Sequence, residues 1–478
     1  MRNQYTTDRA CGQALTPVDI GDGKPLGYWV KDDQGRVYHV YTEDELPLLD
    51  RSPSGRVRPW RERHRAGLML AEIYNAMGET GADGAAGWLN KAQRLESCAQ
   101  YVEFARADDG QLTLHNSSFC RVRLCPMCQW RRSLKLGAQV RQVVERANTE
   151  HIAQTGAPWR WLMVTYTIRN VEGVDLGAAI DRIHRGLNNM AKSKAWRGAV
   201  KGWLRATEVT HNTNTNSTSY DTYHPHMHLL LCVPAGYMSG KGYITQRGWA
   251  QLWQHYVGAD YTPVVDVRAV KPEGGGRLSD LPAGAQAAAM GKACAEVSKY
   301  SAKPADYIVP SDLELSMSTV QILDAALNKR RMTSWGGLLK DIAKQLQLDD
   351  PESGDLVHID DAASADQTAE QIGNYVAYNW ALGAGDYLKI GQRQGQAPAA
   401  ERAQHAADRR AVKVGRTAAQ QREDAADWWT VETYLDANSW DKRVRAAAVD
   451  DLRTLPRATI ERRLQSMVDL PEGWDNET

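Results

Sequence analysis

Phenylalanine is almost missing from this chain of 478 residues: there are two, against 16 Trp and 19 Tyr, so nearly every ring carries a polar edge as well as an apolar body. No stretch approaches ~18 consecutive apolar residues, so no membrane-spanning helix is expected. The opening MRNQYTTDRACGQALTP has no apolar h-region, and the expected location is therefore the cytoplasm. An excess of charge is missing too. Lys plus Arg number 58 and Asp plus Glu number 58, so any basic surface has to come from local segregation. Seven cysteines, four of them at metal-ligand spacing, fit reduced thiolates better than a secreted disulfide framework. There is no internal repeat, and the length suits roughly two to four domains.

Organisation is uneven along the chain. Residues 1–60, rich in Gly, Pro and Asp with strand-like GYWV and GRVYHVYT, are expected to form a loosely ordered extension. Residues 61–150 are expected to be a helical region carrying a cysteine segment that runs into the helix WRRSLKLGAQVRQVVERA. From 155 to 310, strands and helices alternate: WLMVTYTI, a helix near 175–196, GWLRATEVTHN, a histidine strand, a helix near 245–257, TPVVDVRAV, and a helix near 284–303. The Asn/Thr/Ser-rich 211–222 is read as a hairpin loop and GGG at 274–276 as a flexible link. A further region spans 311–396, and within it 349–368 holds seven acidic and no basic residues. Residues 397–478 are expected to be a helical tail rich in Ala, Arg and Asp.

HPHMHLLLCV at 224–233 places three histidines at alternate positions. On a strand that sends His224, His226 and His228 to one face while Met227 and Leu229 point into the core. Several imidazoles in register make a divalent-metal site; a lone histidine would not.

Cys120, Cys125 and Cys128 form C-x4-C-x2-C, and Cys98 lies upstream as a fourth thiolate, with His115 as its rival. Four thiolates describe a closed structural zinc site that would pin a poorly cored segment. Around them Arg121, Arg123, Arg131, Arg132, Lys135, Arg141 and Arg146 stand against one Glu145. That local segregation suits a phosphate backbone, and a solvated helix face would look similar.

AEVSKYSAKPADY at 295–307 is the third motif. In a helix, Glu296 and Tyr300 are four apart and share a face, with Lys299 and Lys303 beside them. A phenol with pKa ~10 needs nearby cations or a polarised phosphate to act as a nucleophile.

The order VTYTIRN, RATEVT, HPHMHLLL, EVSKYSAKPADY resembles the HUH endonucleases, specifically the single-tyrosine replication initiators of rolling-circle plasmids. The resemblance covers about 95–390, since RLCPMCQWRRSLK and RRMTSWGGLLKDIAKQLQLDD are similar to that family as well. It implies an α/β (α+β) fold: an HUH core with a central antiparallel sheet flanked by helices, plus the helical zinc segment and a helical C-terminal region.

The resemblance also implies roles. His226 and His228, flanking Met227, would hold Mn or Mg, with Glu208 or His224 as third ligand. Tyr300 would attack the scissile phosphate to give a 5′-phosphotyrosyl link and a free 3′-OH, beside Lys299. Glu296, four residues earlier, would activate water for the second cleavage, and Tyr307 is a weaker alternative nucleophile because Pro304 is expected to end the helix. Expected partners are plasmid origin DNA, as a single-stranded or hairpin nick site plus a duplex binding site, and the host helicase and polymerase; self-association is left open. Arg121, Arg123, Arg131, Arg132, Lys135 and Lys303 are the DNA-contact candidates. An HUH transposase or relaxase, or a non-catalytic zinc-containing DNA-binding regulator, stands as the alternative.

Overall fold

The computed structural model describes residues 28–31, 37–40, 47–52, 55–81, 84–107, 110–272, 276, 278–281, 286, 289–299, 301–359, 374–381 and 385–394. In chain order the elements are β1 (Tyr28–Lys31), β2 (Val37–Val40), α1 (Trp60–Glu79), α2 (Ala85–Glu96), β3 (Tyr101–Arg106) and β4 (Leu112–Ser117). Then come α3 (Pro126–Thr155), β5 (Arg160–Thr167), α4 (Leu176–Met190), α5 (Lys194–Ala199), β6 (Gly202–His211), β7 (Tyr223–Val233), α6 (Gln246–Val257) and β8 (Val265–Ala269). The last are α7 (Gly291–Val297), α8 (Leu313–Leu327), β9 (Thr333–Gly337), α9 (Leu338–Gln345), β10 (Asn374–Ala381) and β11 (Asp386–Gln394). The chain is thus mixed α/β with antiparallel sheets, as expected, and the tail from 397 lies outside the described residues.

Two compact units are present. The smaller takes residues 1–65, 99–118 and 365–478 and contains an antiparallel sheet in the order β11-β10-β3-β4. Trp60, Phe104 and Tyr387 meet edge to face there, and the Tyr387 hydroxyl donates to the Ala99 carbonyl at 2.6 Å. The sequence pattern predicts helix over most of 61–104; instead Tyr101–Arg106 is a strand, and its buried VEFA pairs with β10. The partner strand lies towards the other end of the chain, beyond what local periodicity can sense.

The larger unit, residues 66–98 and 119–364, is built on a five-stranded antiparallel sheet in the order β8-β5-β7-β6-β9. Alternation along each strand feeds two cores. On one face Val164, Tyr166, Met227, Leu229 and Leu231 pack with Ile183 and Leu187 of α4 and Trp249 and Trp253 of α6. On the other, Trp161, Leu204, Leu230 and Cys232 pack with Val140, Val143 and Val144 of α3, Cys294 and Val297 of α7 and Ile342 of α9. Each of these leucines is fully buried, a contribution of about 1.5–3 kcal/mol apiece.

The histidine strand β7 is central, and its hairpin partner β6 follows from the turn chemistry of 212–222. Asn212 and Asn214 accept from backbone amides two residues on, and Asp221 takes φ +57°. At the edge, Gly337 turns β9 into α9 at φ +56°, where a Cβ would collide with the Lys201 carbonyl.

Candidate metal centre and its surroundings

The β6 to β7 register sets Glu208 directly opposite His226, with Ala206 opposite His228. Even-numbered side chains of β7 therefore share the face of Leu230 and Cys232, and Glu208 reaches both imidazoles from the neighbouring strand. Glu208 Oε2 lies 3.6 Å from His226 Nε2 and 3.3 Å from His228 Nε2, and one donor atom from each residue falls within 4.8 Å of the others. Both rings are held from behind. His226 Nδ1 donates to the His224 carbonyl at 3.1 Å, and His228 Nδ1 lies 3.1 Å from Thr165 Oγ1. Engaging Nδ1 leaves Nε2 turned to the carboxylate, the arrangement a metal-binding imidazole needs.

Burial raises the Glu208 carboxyl, but hydrogen bonds from His226, His228 and Lys303 outweigh it and hold the group well below the ordinary carboxylate range. Lys303 Nζ sits 2.7 Å from Glu208 Oε1, and that bond raises the ammonium. One carboxylate and two imidazoles form a hard-to-borderline donor set that fits a divalent ion. His224 is outside this group: its ring stacks on His226 at 5.1 Å between centroids, opposite Thr210.

Glu296 stands in the last turn of α7, with Oε1 3.6 Å from His228 Nδ1 and 2.6 Å from Lys299 Nζ. The expected helix through 303 is corrected: α7 ends at Val297. Ser298 bonds its hydroxyl back to the Cys294 carbonyl at 2.6 Å, and further on the Ser301 carbonyl accepts from the Val209 amide of β6 at 2.8 Å. Lys299 therefore lies past the helix, and Tyr300 falls outside the described residues. Tyr307 is fully buried, and its hydroxyl donates to the Leu124 carbonyl at 2.6 Å.

Cys98, Cys120, Cys125 and Cys128 converge as the second group able to hold a metal ion. Sulfur separations are 3.6 Å for Cys98 to Cys125 and 3.7 Å for both Cys98 and Cys120 to Cys128. Four thiolates at ~2.3 Å around one zinc would lie about 3.8 Å apart, so the spacing fits. Cys125 also caps α3, its sulfur accepting from the Cys128 amide with Pro126 at the first helical position. The Cys128 thiol is drawn well down despite burial, by bonds from the other three thiols and by Arg132, while Cys98 and Cys120 are pushed up. His115 is not part of this group: it lies in β4 and packs on Tyr375.

The basic residues of this segment are engaged by the acidic loop. Arg131, 1% exposed, donates to the Leu356 and Val357 carbonyls, both at 2.9 Å. Lys135, 4% exposed, meets Asp349 at 2.5 Å and the Asp355 carbonyl at 2.8 Å. Arg123 pairs with Glu352 at 2.8 Å, Arg132 donates to the Glu352 carbonyl and Arg121 to that of Ser353. Charges from two distant parts of the sequence thus neutralise one another, a pairing that neither segment shows alone. Thr165 and the Lys303 to Glu208 contact are parts of the candidate site that the residue pattern did not reveal. The strand register that sets Thr165 opposite His228 is the signal that finds the first.

The model of a family described as replication protein matches residues 111–388. Protein rep of Bacillus amyloliquefaciens is 37% identical over 351 residues, 73% of this chain and 98% of the relative. Protein rep of Streptococcus pneumoniae serotype 2 is 35% identical over 318 residues, 66% of this chain and 88% of the relative. A replication protein of Staphylococcus aureus is 35% identical over 223 residues, 46% of this chain and 87% of the relative. No solved structure matches the chain significantly. No helix among the described residues is long and apolar enough to cross a membrane. The chain belongs to the Rep family of replication proteins, the plasmid replication initiators that its motifs resemble.

Proposed function

We propose that this initiator is a site-specific nickase of single-stranded DNA, acting at the plasmid's double-strand origin in rolling-circle replication. The observation that carries the proposal is the Glu208, His226 and His228 group on the central strand, with Glu296 3.6 Å from His228. The chain on either side of Tyr300 is tied to the same place: Glu296 and Lys299 before it, and Ser301 on Val209 and Lys303 on Glu208 after it.

Glu208, His226 and His228 would hold Mn or Mg, which when bound neutralises charge on the phosphate oxygens. The Tyr300 oxygen attacks phosphorus. A phosphorus to tyrosyl bond forms, the bond to the 3′ oxygen breaks, the phenolic proton leaves to solvent or base, and the 3′ oxygen takes one up as the primer hydroxyl. One phosphodiester replaces another, so the step is reversible and allows strand joining at the end of the round. Lys299 and Lys303 add positive charge beside the nucleophile's segment. Glu296 accepts the proton of a water in the terminating cleavage. The cysteine group would hold zinc and fix the start of α3. Host helicase and polymerase take over the 3′ end. Among the basic residues, Arg121 is exposed and is left to face duplex DNA, whereas Arg131 and Lys135 are buried against the loop.

The test is a nicking assay on supercoiled origin plasmid with Tyr300→Phe, in the whole chain. The variant should bind the origin and form no adduct that survives SDS; an adduct of wild-type yield removes Tyr300 as nucleophile.

A further inference from the structure

Beside the metal group, a cleft of about 440 Å3, its open mouth included, lies between the start of α3, the end of α7 and the loop at 351–352. Its wall includes Gln129, Arg123, Arg132, Lys299, Ser301 and Glu352. The cleft is continuous with the candidate site chemistry through Lys299, which holds Glu296 against His228.

Gln129 is the anomaly in that wall. It is 5% exposed, yet neither its amide nitrogen nor its amide oxygen has a hydrogen-bond partner. Folding removes such a group from water at a cost that is normally offset by a partner, so a buried amide with both ends open calls for a ligand. The groups around it are committed. Ser133 donates to the Trp130 carbonyl, Arg132 Nε to the Glu352 carbonyl, and Thr333 donates to Glu352 from both its amide and its hydroxyl. Arg123 spends both Nη groups on Glu352 and the Arg330 carbonyl, while its Nε is buried without a partner. What remains unpartnered is one buried amide, able to donate and accept side by side, in a wall that also carries the positive groups of Arg132 and Lys299.

That combination matches a nucleotide. A primary amide pairs bidentately with a base edge that offers an acceptor beside a donor, and cations at the mouth suit a phosphodiester. The cleft is half open to solvent, so a base edge can approach it from the mouth, and only a strand already single presents one cheaply. We propose that this cleft seats one nucleotide of the nicked strand next to the scissile phosphate, with Gln129 reading its base and Lys299 and Arg132 holding its backbone. Gln129 is then a specificity-determining residue for the origin. The inference rests on the nicking activity proposed above.

The experiment uses the full chain and fluorescein-labelled single-stranded oligonucleotides spanning the mapped nick, each with one position on either side changed to the other three bases. Binding is read by anisotropy and cleavage by adduct yield. Wild type should discriminate at one flanking position by about 5- to 150-fold, the range of a bidentate amide to base contact. Gln129→Met, which keeps the volume and removes both polar ends, should lower discrimination there to under threefold while the profile at the other positions stays. Its thermal midpoint should equal or exceed wild type, because the amide has no partner to lose.

An unchanged base profile in Gln129→Met overturns the proposal. So does uniform loss at all positions with a lowered midpoint, which makes Gln129 structural. Deoxynucleoside monophosphates that displace the oligonucleotide at equal concentration would make the cleft a free-nucleotide site, which also overturns it. If no oligonucleotide forms an adduct, the nicking reading fails by itself, and the anisotropy profile still decides the cleft.

Discussion

Removing the Tyr307 hydroxyl separates the two tyrosines of the third motif by their physics. The side chain is fully buried and the hydroxyl donates to the Leu124 carbonyl at 2.6 Å, one residue before zinc-ligand candidate Cys125. Tyr307→Phe keeps the ring and deletes one buried hydrogen bond. A bond of this kind contributes about 0.5–1.5 kcal/mol net, and leaving a buried carbonyl unsatisfied costs about 1–3 kcal/mol. Leu124 is itself fully buried, so the upper part of the range applies, about 2 kcal/mol. At about 2–4 °C per kcal/mol for a folding unit of this size, the thermal midpoint falls by about 4–8 °C. Zinc should leave faster to a chelator, because the carbonyl braces the turn that positions Cys125. The assays are urea titration, chelator-monitored zinc release and SDS-stable adduct formation on origin plasmid. Adduct yield should persist at a temperature where the variant is folded. Loss of the adduct with stability unchanged would refute the reasoning, because it would make a hydroxyl sealed in the core the one that meets DNA.

Other perturbations test the remaining parts. His226→Ala or His228→Ala should abolish divalent-dependent nicking while the far-UV spectrum stays native, since neither ring belongs to the two apolar cores; nicking that survives in chelator-treated variant protein would sink the metal assignment. Cys125→Ser should lose both a zinc ligand and the cap of α3, and elemental analysis that finds no zinc in fresh wild type would refute the zinc site. Glu296→Gln should still nick supercoiled plasmid and fail at termination, so that displaced strands longer than one unit accumulate; equal loss of both steps would mean that Glu296 instead orients His228, from which it stands 3.6 Å. Burial, with help from Arg205, pushes His184 down to about 3. Its folded pKa lies below the unfolded ~6.5, so this part of stability is full above that pH and is lost as pH falls, by about 1.4 kcal/mol per unit towards 3. At pH 5 the deficit is about 2 kcal/mol, and His184→Gln should flatten the dependence of urea midpoints between pH 6.5 and 5.

The site was legible where a pattern is local. Alternation in HPHMHLLL fixed which face carries His226 and His228, and Asn212 to Thr222 announced the hairpin that sets Glu208 against them rather than His224. The C-x4-C-x2-C spacing and Cys98 likewise predicted a cluster that the fold assembles. Three things were not legible. The end of α7 at Val297 is decided by a serine back-bond and by an amide of β6, far upstream, neither visible in helical periodicity. Arg131 and Lys135 resemble a free basic face in sequence because the loop that engages them lies far downstream. The sheet in the smaller unit closes β3 on β10, a pairing of high sequence separation that leaves only a short apolar run as its trace.

The central position of β7 carries a consequence for the order in which the molecule opens. Its amides and carbonyls are shared with β5 on one side and β6 on the other, and both faces are covered by core. Hydrogen exchange there should require global unfolding, so Met227 to Leu231 should be the last amides to take up deuterium. Lys299 and Ser301 to Lys303 follow a helix of seven residues and should exchange through local opening, at far lower free energy. The two sides of the candidate site therefore belong to different tiers of the stability hierarchy. Displacing the segment after α7 to admit a strand leaves the imidazoles on β7 where they are.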